Sequence, residues 1–414
     1  MNLKQHDIDI LRQLAKEYAE IAALPIQKEK MELWKSFNRH DNTRPMVTIS
    51  QLPWNELNYD GSLTCVTENG FLRDIETSLR RTIYQWKHFP VDMVVEPILT
   101  IPYCAHNTGY GPTSHEDNAC TDIDNTVISH SYHNQLNSED DLEKIKDMQI
   151  TLDKEQSREW KEAADFIFDG IIPVRQAGGV EIRLQIWDVL AELMNVESVY
   201  FDLIDRPEFI HSIMEKMTHS ALAGIRQANQ LKLFDASANL CHCSGIYTDE
   251  LLPGFGAGKV NDSHHSWGCS MAQLFTSASP DTTREFEVPY VSQIASQFGM
   301  FYYGCCERLD DRLDIIQQIP SVRKISCSPW SNKAVFAERI RKDIIMSNKP
   351  SPAFLASPSL DLELVRADLL ETYQAASSNQ VKVEFLLKDI STVKWKPERL
   401  TQWADCAMNL VQSL

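Results

Sequence analysis

The sequence predicts an α/β fold, a (β/α)8 TIM barrel with an N-terminal helical extension and a polar insertion after the second strand. Three observations lead there. Short apolar, β-rich runs recur with helical segments between them, the alternation expected of parallel strands covered by helices. Eight such runs can be marked, the number a (β/α)8 barrel needs. Finally, 414 residues accommodate either two average domains or one large barrel.

The expected strands lie at 46–50 (MVTIS), 92–97 (DMVVEP), 180–187 (VEIRLQIW), 235–242 (DASANLCH), 299–305 (GMFYYGC), 324–328 (KISCS), 352–356 (PAFLA) and 381–388 (VKVEFLLK). Residues 1–40 alternate charged and apolar side chains at helical spacing and form the extension; 41–414 form the barrel. The stretch 103–145 is a polar excursion rich in His, Asn, Ser and Asp, and a long insertion after a barrel strand commonly builds or covers an active site. The clearest helix follows LIDRPEFIHSIMEKMTHSALAGIRQANQ. Asp205 is placed to cap it, Pro207 suits its first turn, and Glu208 stands where a capping box wants it. Phe209, Ile213, Met217, Ala221 and Ile225 then recur every four residues as a stripe to be buried.

Composition narrows the function classes. The net charge is −18, without a basic stripe, so phosphate backbones and anionic membrane surfaces are repelled, and nucleic acid is excluded as a partner. No run of about 20 apolar residues is present to span a bilayer. The first residues lack the unbroken apolar stretch of a secretion signal, so a cytoplasmic location is expected. Ten cysteines in this length are too sparse for a secreted disulfide scaffold, which leaves burial, catalysis or metal binding.

Two thiol clusters stand out. FYYGCCERLDD ends the fifth expected strand, so Cys305, Cys306 and Glu307 would project from the catalytic rim of a barrel. A thiolate there can ligate zinc or serve as a nucleophile; equally, the pair can be half-buried packing, as free cysteines often are. One strand earlier, LCHCSG carries Cys241, His242 and Cys243, close enough in a barrel to share an ion with Cys305 or Cys306. The C-x-x-C spacing of a strong zinc signature is missing, and structural thiols beside a loop histidine remain the alternative. In NDSHHSWGC, Asp262 and His264 imitate a corrinoid-ligating D-x-H-x-x-G, but Trp267 stands where glycine is required, so no corrinoid-binding domain is assigned. Glu96 ends the second expected strand as a general acid or base, a substrate anchor, a metal ligand, or simply a loop cap. Lys388 and Asp389 end the eighth, either pairing with each other or, if desolvated, moving a proton.

Taken in order, these segments resemble the uroporphyrinogen decarboxylase superfamily, which also holds cobalamin-independent methionine synthase and the zinc-dependent methyltransferases that move methyl groups to or from corrinoid proteins. The likeness runs over roughly 40–412 and is carried by the helix above, by QLFTSASPDTTREFEVPYVSQIASQFGMFYYGCCE and by VEFLLKDIST. It implies a (β/α)8 barrel with its site at the carboxyl rim. Family decarboxylases hold their tetrapyrrole with an arginine-rich signature after the first strand; here that region reads SQLPWNELNYDG, without arginine. The family's methyltransferases carry H-x-C after the fifth strand and another cysteine near the last; this chain has Tyr303, Gly304 and Cys305 at the first place, and Lys388 and Asp389 at the second.

The resemblance therefore implies a methyltransferase that demethylates a small O-, N- or S-methylated compound and passes the methyl to a separate corrinoid protein. Its Zn2+ would be recruited from His242, Cys243, Cys305, Cys306 and Glu307, with Glu96, Lys388 and Asp389 as catalytic groups. Trp54, Tyr103, His106, Tyr110, Tyr303 and Trp330 would line the substrate site. Two alternatives stay open: a metal-free decarboxylase or lyase on the same barrel, and a non-catalytic tetrapyrrole or corrinoid binder. A homodimer is also left open.

Overall fold

The computed structural model describes residues 3–119, 129–251 and 260–414. Among these, the parallel strands in chain order are β1 (Met46–Ile49), β2 (Leu99–Ile101), β3 (Val174–Gln176), β4 (Trp267–Ser270), β5 (Met300–Tyr303), β6 (Val322–Cys327), β7 (Ile345–Asn348) and β8 (Val383–Leu387). Six form one parallel sheet in the order β1-β8-β7-β6-β5-β4, and β2 pairs with β3 in a sheet of their own. Among the described residues no ladder joins β1 to β2 or β3 to β4. The architecture is thus mixed α/β around a six-stranded parallel sheet, and the closed eight-stranded barrel expected from the sequence is not completed by backbone pairing.

Four expected strands fall on β1, β5, β6 and β8; the other four are corrected. The 92–97 run precedes β2 as irregular chain, where the Asp92 carboxylate accepts Arg44 at 2.9 and 2.6 Å and the Val47 amide at 2.8 Å. The 180–187 run leads into a helix at Ile186–Leu193, and the strand lies earlier, at β3. Only Leu240–Cys241 of 235–242 is extended, and it pairs antiparallel with Ser244–Gly245. The 352–356 run becomes a short helix, Ala353–Ala356, behind Pro352, while the true strand β7 ends at Asn348. β4, in WGCS, was not anticipated. Strands of three or four residues are too short to show a period-two signal, and β7 is buried on both faces besides, so apolar runs in neighbouring loops and helices imitate them.

The sheet is curled. Lys324 on β6 and Glu384 on β8 are two strands apart, and their side chains pair at 3.0 Å across β7 on one face of the sheet, neither exposed. Tyr302 on β5 likewise donates across β6 to Ser347 Oγ on β7 at 2.7 Å. Side chains of alternate strands meeting over an intervening one define a concave interior, as in barrel layers.

Helices close the amino-terminal side of this concavity. Helix α1 (Gln5–Ala22) lays Ile8, Leu11 and Ala15 against Leu72 and Leu79 of α3 (Gly70–His88). Between them in sequence, α2 (Pro25–Asn38) buries Trp34 and Phe37 against Met46 and Ile345, at the starts of β1 and β7. Trp34 Nε1 donates to the Asp92 carbonyl at 2.9 Å. Gly245 lies under the indole, where a Cβ would come within 2.5 Å of a ring carbon, so only glycine fits. Helix α4 (Pro207–Leu231) buries the expected stripe, but its N-cap is Arg206 without a side-chain bond, not Asp205. The insertion after β2 forms two antiparallel ribbons, Ala105–Asn107 with Ile150–Leu152 and Glu116–Ala119 with Ser129–Tyr132. No helix of the described residues is long and apolar enough to cross a membrane.

The interior ion pair yields a stability test. Lys324→Met leaves the Glu384 carboxylate buried with only the Ser244 hydroxyl, so urea unfolding should show a loss of about 3–5 kcal/mol. Lys324→Met combined with Glu384→Leu should recover most of it, because no uncompensated charge remains.

Candidate active site

Parallel register puts every strand's carboxyl end on one edge of the sheet, and the polar groups gather there. After β5 the chain turns at Gly304, with φ of +93°; a Cβ there would meet Leu309 Cδ1 at 2.6 Å. The turn delivers Cys305, whose amide donates to Glu307 Oε2 at 2.7 Å, while Glu307 Oε1 accepts the Ala272 amide at 3.3 Å. The Cys305 carbonyl accepts the Ser326 hydroxyl of β6. Lys349, the first residue past β7, donates to Ser326 Oγ and to Tyr302 Oη, the latter at 3.1 Å. Three strands thus hold one cysteine.

The thiols meet the end of β8. Cys305 Sγ lies 3.4 Å from Cys306 Sγ and 3.3 Å from Lys388 Nζ. Cys306 Sγ lies 3.1 Å from Asp389 Oδ2, so its one proton can serve either Asp389 or Cys305, and Lys388 bonds both oxygens of Asp389, at 2.9 and 2.7 Å. The Cys306 thiol, then His242, hold Cys305 well below the ordinary thiol range, with Lys349 adding to the effect and burial opposing it. Cys306 is pushed up in turn by its bond to Cys305 and by burial, so the pair carries one thiolate, on Cys305. Desolvation works to lower the Lys388 pKa, but the negative charge of the thiol pair and of Asp389 outweighs it and keeps the ammonium charged.

His242 stands beside Cys305 and tilts against Tyr302 at 5.2 Å between ring centres. Burial lowers its pKa, leaving a neutral imidazole whose Nε2 is buried without a partner. His242 and Cys243 have φ of 45° and 71°, and Gln51 and Asp389 at neighbouring strand ends have 51° and 55°. Left-handed non-glycine residues cost energy and cluster where a site must be shaped. The Cys243 carbonyl accepts Thr48 Oγ1 at 3.0 Å, and burial raises its thiol.

Cys305, Cys306 and Asp389 offer two sulfurs and a carboxylate oxygen within 4.8 Å of one another, a donor set that fits zinc. His242 stands outside this set, although its Nε2 is buried without a partner. Lys388 is bonded to two of the three donors and must swing aside for a cation to enter. Behind the cluster lie two buried carboxyls. Burial and then the Cys305 charge push Glu307 up to about 7; burial takes Glu287, which accepts Tyr303 Oη at 3.2 Å, to about 8.

Other expected site residues lie apart from the cluster. Glu96 lines two adjoining cavities with Arg175, Asp235 and Tyr247. His106 and Tyr110 line a third, of about 400 Å3, where Tyr110 Oη donates to the Arg183 carbonyl at 2.5 Å. Tyr103 packs with Ile150 and Leu233, and Trp54 lies edge-on to Tyr84 beneath Arg81. Tyr303 is buried on Glu287, and Trp330 is exposed. Sequence reasoning missed Lys349, Ser326 and Tyr302. The lysine that ends the apolar run IIMSNK was the available signal, hidden because that run was not marked as a strand.

No family model and no curated protein matches this sequence. A solved structure of a methyltransferase from Methanosarcina mazei is similar over 92% of this chain and 98% of its own, with a TM-score of 0.51 and 12% identity. At that identity the likeness is one of fold.

Glu287 supplies a pH test. A carboxyl whose folded pKa is raised supports the fold fully below its unfolded value, near 4.5, and withdraws that support as pH rises through its folded value, about 8. Glu287→Gln keeps an acceptor for Tyr303 and removes the titration. Thermal unfolding should therefore show the variant gaining on the wild type as pH rises from about 5 to about 8; a difference independent of pH refutes the assignment.

Proposed function

We propose that this chain is a methyltransferase that takes the methyl group of a small O-, N- or S-methylated compound at the thiol cluster and delivers it to a separate corrinoid protein. Zinc would be held by Cys305, Cys306 and Asp389, with the neutral His242 beside them. The observation carrying this reading is the three donor atoms within 4.8 Å at the carboxyl edge of a parallel sheet, in a fold like that of a methyltransferase. The reading takes the six-stranded and two-stranded sheets as arcs of one (β/α)8 barrel.

In the reaction the bond from methyl to its heteroatom would break with the electron pair leaving on the heteroatom, and the methyl would pass to the corrinoid of the separate protein, which would supply the pair for the new bond to carbon. Zinc, when bound by Cys305, Cys306 and Asp389, would supply Lewis acidity for the departing atom. The protein's own groups do the rest. Displaced from Cys305 by the cation, the Lys388 ammonium would stay at the edge of the cluster, where it can give a proton to the departing anion. The Asp389 oxygen that is not on the metal would keep Lys388 at the site. Lys349 and Ser326 fix the backbone of Cys305.

One observation favours a second reading, a metal-free lyase or decarboxylase: the thiolate, Lys388 and Asp389 already form a charge-paired cluster without a cation. Metal analysis separates the two. Protein purified without chelator should carry about one zinc per chain, and Cys306→Ser and Asp389→Asn should each lose most of it. With cob(I)alamin standing in for the corrinoid protein, a panel of methyl ethers, methylamines and methyl thioethers should yield methylcobalamin. Lys388→Met should lower the rate by about 100-fold or more. Zinc-free protein that forms no methylcobalamin from any of the panel would favour the lyase.

A further inference from the structure

Cys305 and Cys306 are adjacent in the chain and both thiols are free. Successive side chains of an extended strand point to opposite faces, yet here the two sulfurs stand 3.4 Å apart. The pair has already left β5 through the left-handed Gly304, and the turn brings both thiols to one side. Glu307 on the Cys305 amide and Ser326 on its carbonyl hold the turn in place. Lys388 Nζ lies 3.3 Å from Cys305 Sγ, and a neighbouring ammonium favours the thiolate, the form of cysteine that reacts. Cys306 is half-buried and Asp389 exposed, so a small molecule reaches the cluster from that side.

Such a pair is a dithiol as well as a pair of ligands. With a hydroperoxide as oxidant, the Cys305 thiolate attacks the outer oxygen, the O–O bond breaks, and the sulfur becomes a sulfenic acid. The departing alkoxide, or hydroxide from hydrogen peroxide, takes a proton from the Lys388 ammonium, which regains it from the Cys306 thiol. The Cys306 sulfur then attacks the sulfenic sulfur, the S–S bond forms, and hydroxide leaves to solvent. The two sulfurs lose two electrons and the hydroperoxide gains them. A trans peptide fixes adjacent Cα atoms about 3.8 Å apart, closer than the roughly 4.4–6.8 Å of ordinary disulfides. The bond is therefore strained, and strain makes it easy to reduce.

We propose that Cys305 and Cys306 are a redox modification site, a vicinal dithiol that hydroperoxides close to a disulfide and small thiols reopen. While closed, the bond withdraws both sulfurs from the donor set that they share with Asp389. Its formation does not depend on the methyl-transfer reading; only its effect on zinc rests on that reading.

The full chain, reduced and freed of reductant, is treated with increasing hydrogen peroxide, its remaining thiols are blocked with N-ethylmaleimide in denaturant, and the tryptic peptide 285–308 is examined by mass spectrometry. That peptide should lose two hydrogens and carry no label on either cysteine, at a peroxide concentration below that which consumes the chain's other thiols. Dithiothreitol should restore both labels. Cys306→Ser should leave a sulfenic acid on Cys305 that dimedone captures. Where zinc is bound, a chromogenic chelator should read about one zinc released per bond formed; a bond that forms in zinc-free protein upholds this proposal and counts against the zinc reading alone. The proposal is overturned if another pair such as Cys241 and Cys269 links first, if Cys305 passes to sulfinic acid with Cys306 still labelled, or if the bond resists dithiothreitol.

Discussion

The curl of the six-stranded sheet is the constraint on which the rest depends. Cys305 follows β5 and Lys388 follows β8, strands separated by β6 and β7. In a flat sheet their ends would lie about 14 Å apart, beyond the combined reach of a cysteine and a lysine side chain. They meet at 3.3 Å because the sheet bends its carboxyl edge around a concave interior. The same bend brings Lys324 to Glu384 and Tyr302 to Ser347, so the interior is lined by bonded polar groups where an ordinary sheet face would be apolar.

Inside that bend, charge is arranged so that one sulfur is ionised at little cost. Burial alone would raise the Cys305 thiol. Its position beside the Cys306 thiol, His242, Lys349 and Lys388 reverses the balance. Lys349 is fully buried and, apart from the charge nearby, satisfied by two hydroxyls. Such a cluster is held by backbone as much as by side chains. Gly304, His242, Cys243 and Asp389 all adopt left-handed conformations, and the surrounding strands over-determine them.

Among the described residues the strand set is open at a seam between β1 and β2, and a cavity of about 500 Å3 lined by Thr48, Ile49, Leu99 and Thr100 lies there. The thiol cluster and the seam are thus consequences of one architecture. Curling concentrates reactive groups at one edge, and incomplete pairing leaves a chamber through the wall. Cys243 touches both regions, lining the larger cavity while lying within electrostatic reach of Lys388 and Lys349.

Several features were legible in the residue string. The helix over 207–231, the strands that lead into Cys305 and Lys388, and the α/β alternation follow from local periodicity and apolar runs, which act over a few residues. Lys349 was not legible, because the doubly buried β7 has no alternation to mark its end. Nor was the place of Glu96, read as a catalytic neighbour of the thiols and found at the seam. The union of Cys305 with Lys388 spans 83 positions, and no local pattern encodes it. Sequence determined which chemistries were present and which strand ends bore them; tertiary structure alone decided which ends touch, because that depends on sheet curvature and strand order, properties of the whole packed chain.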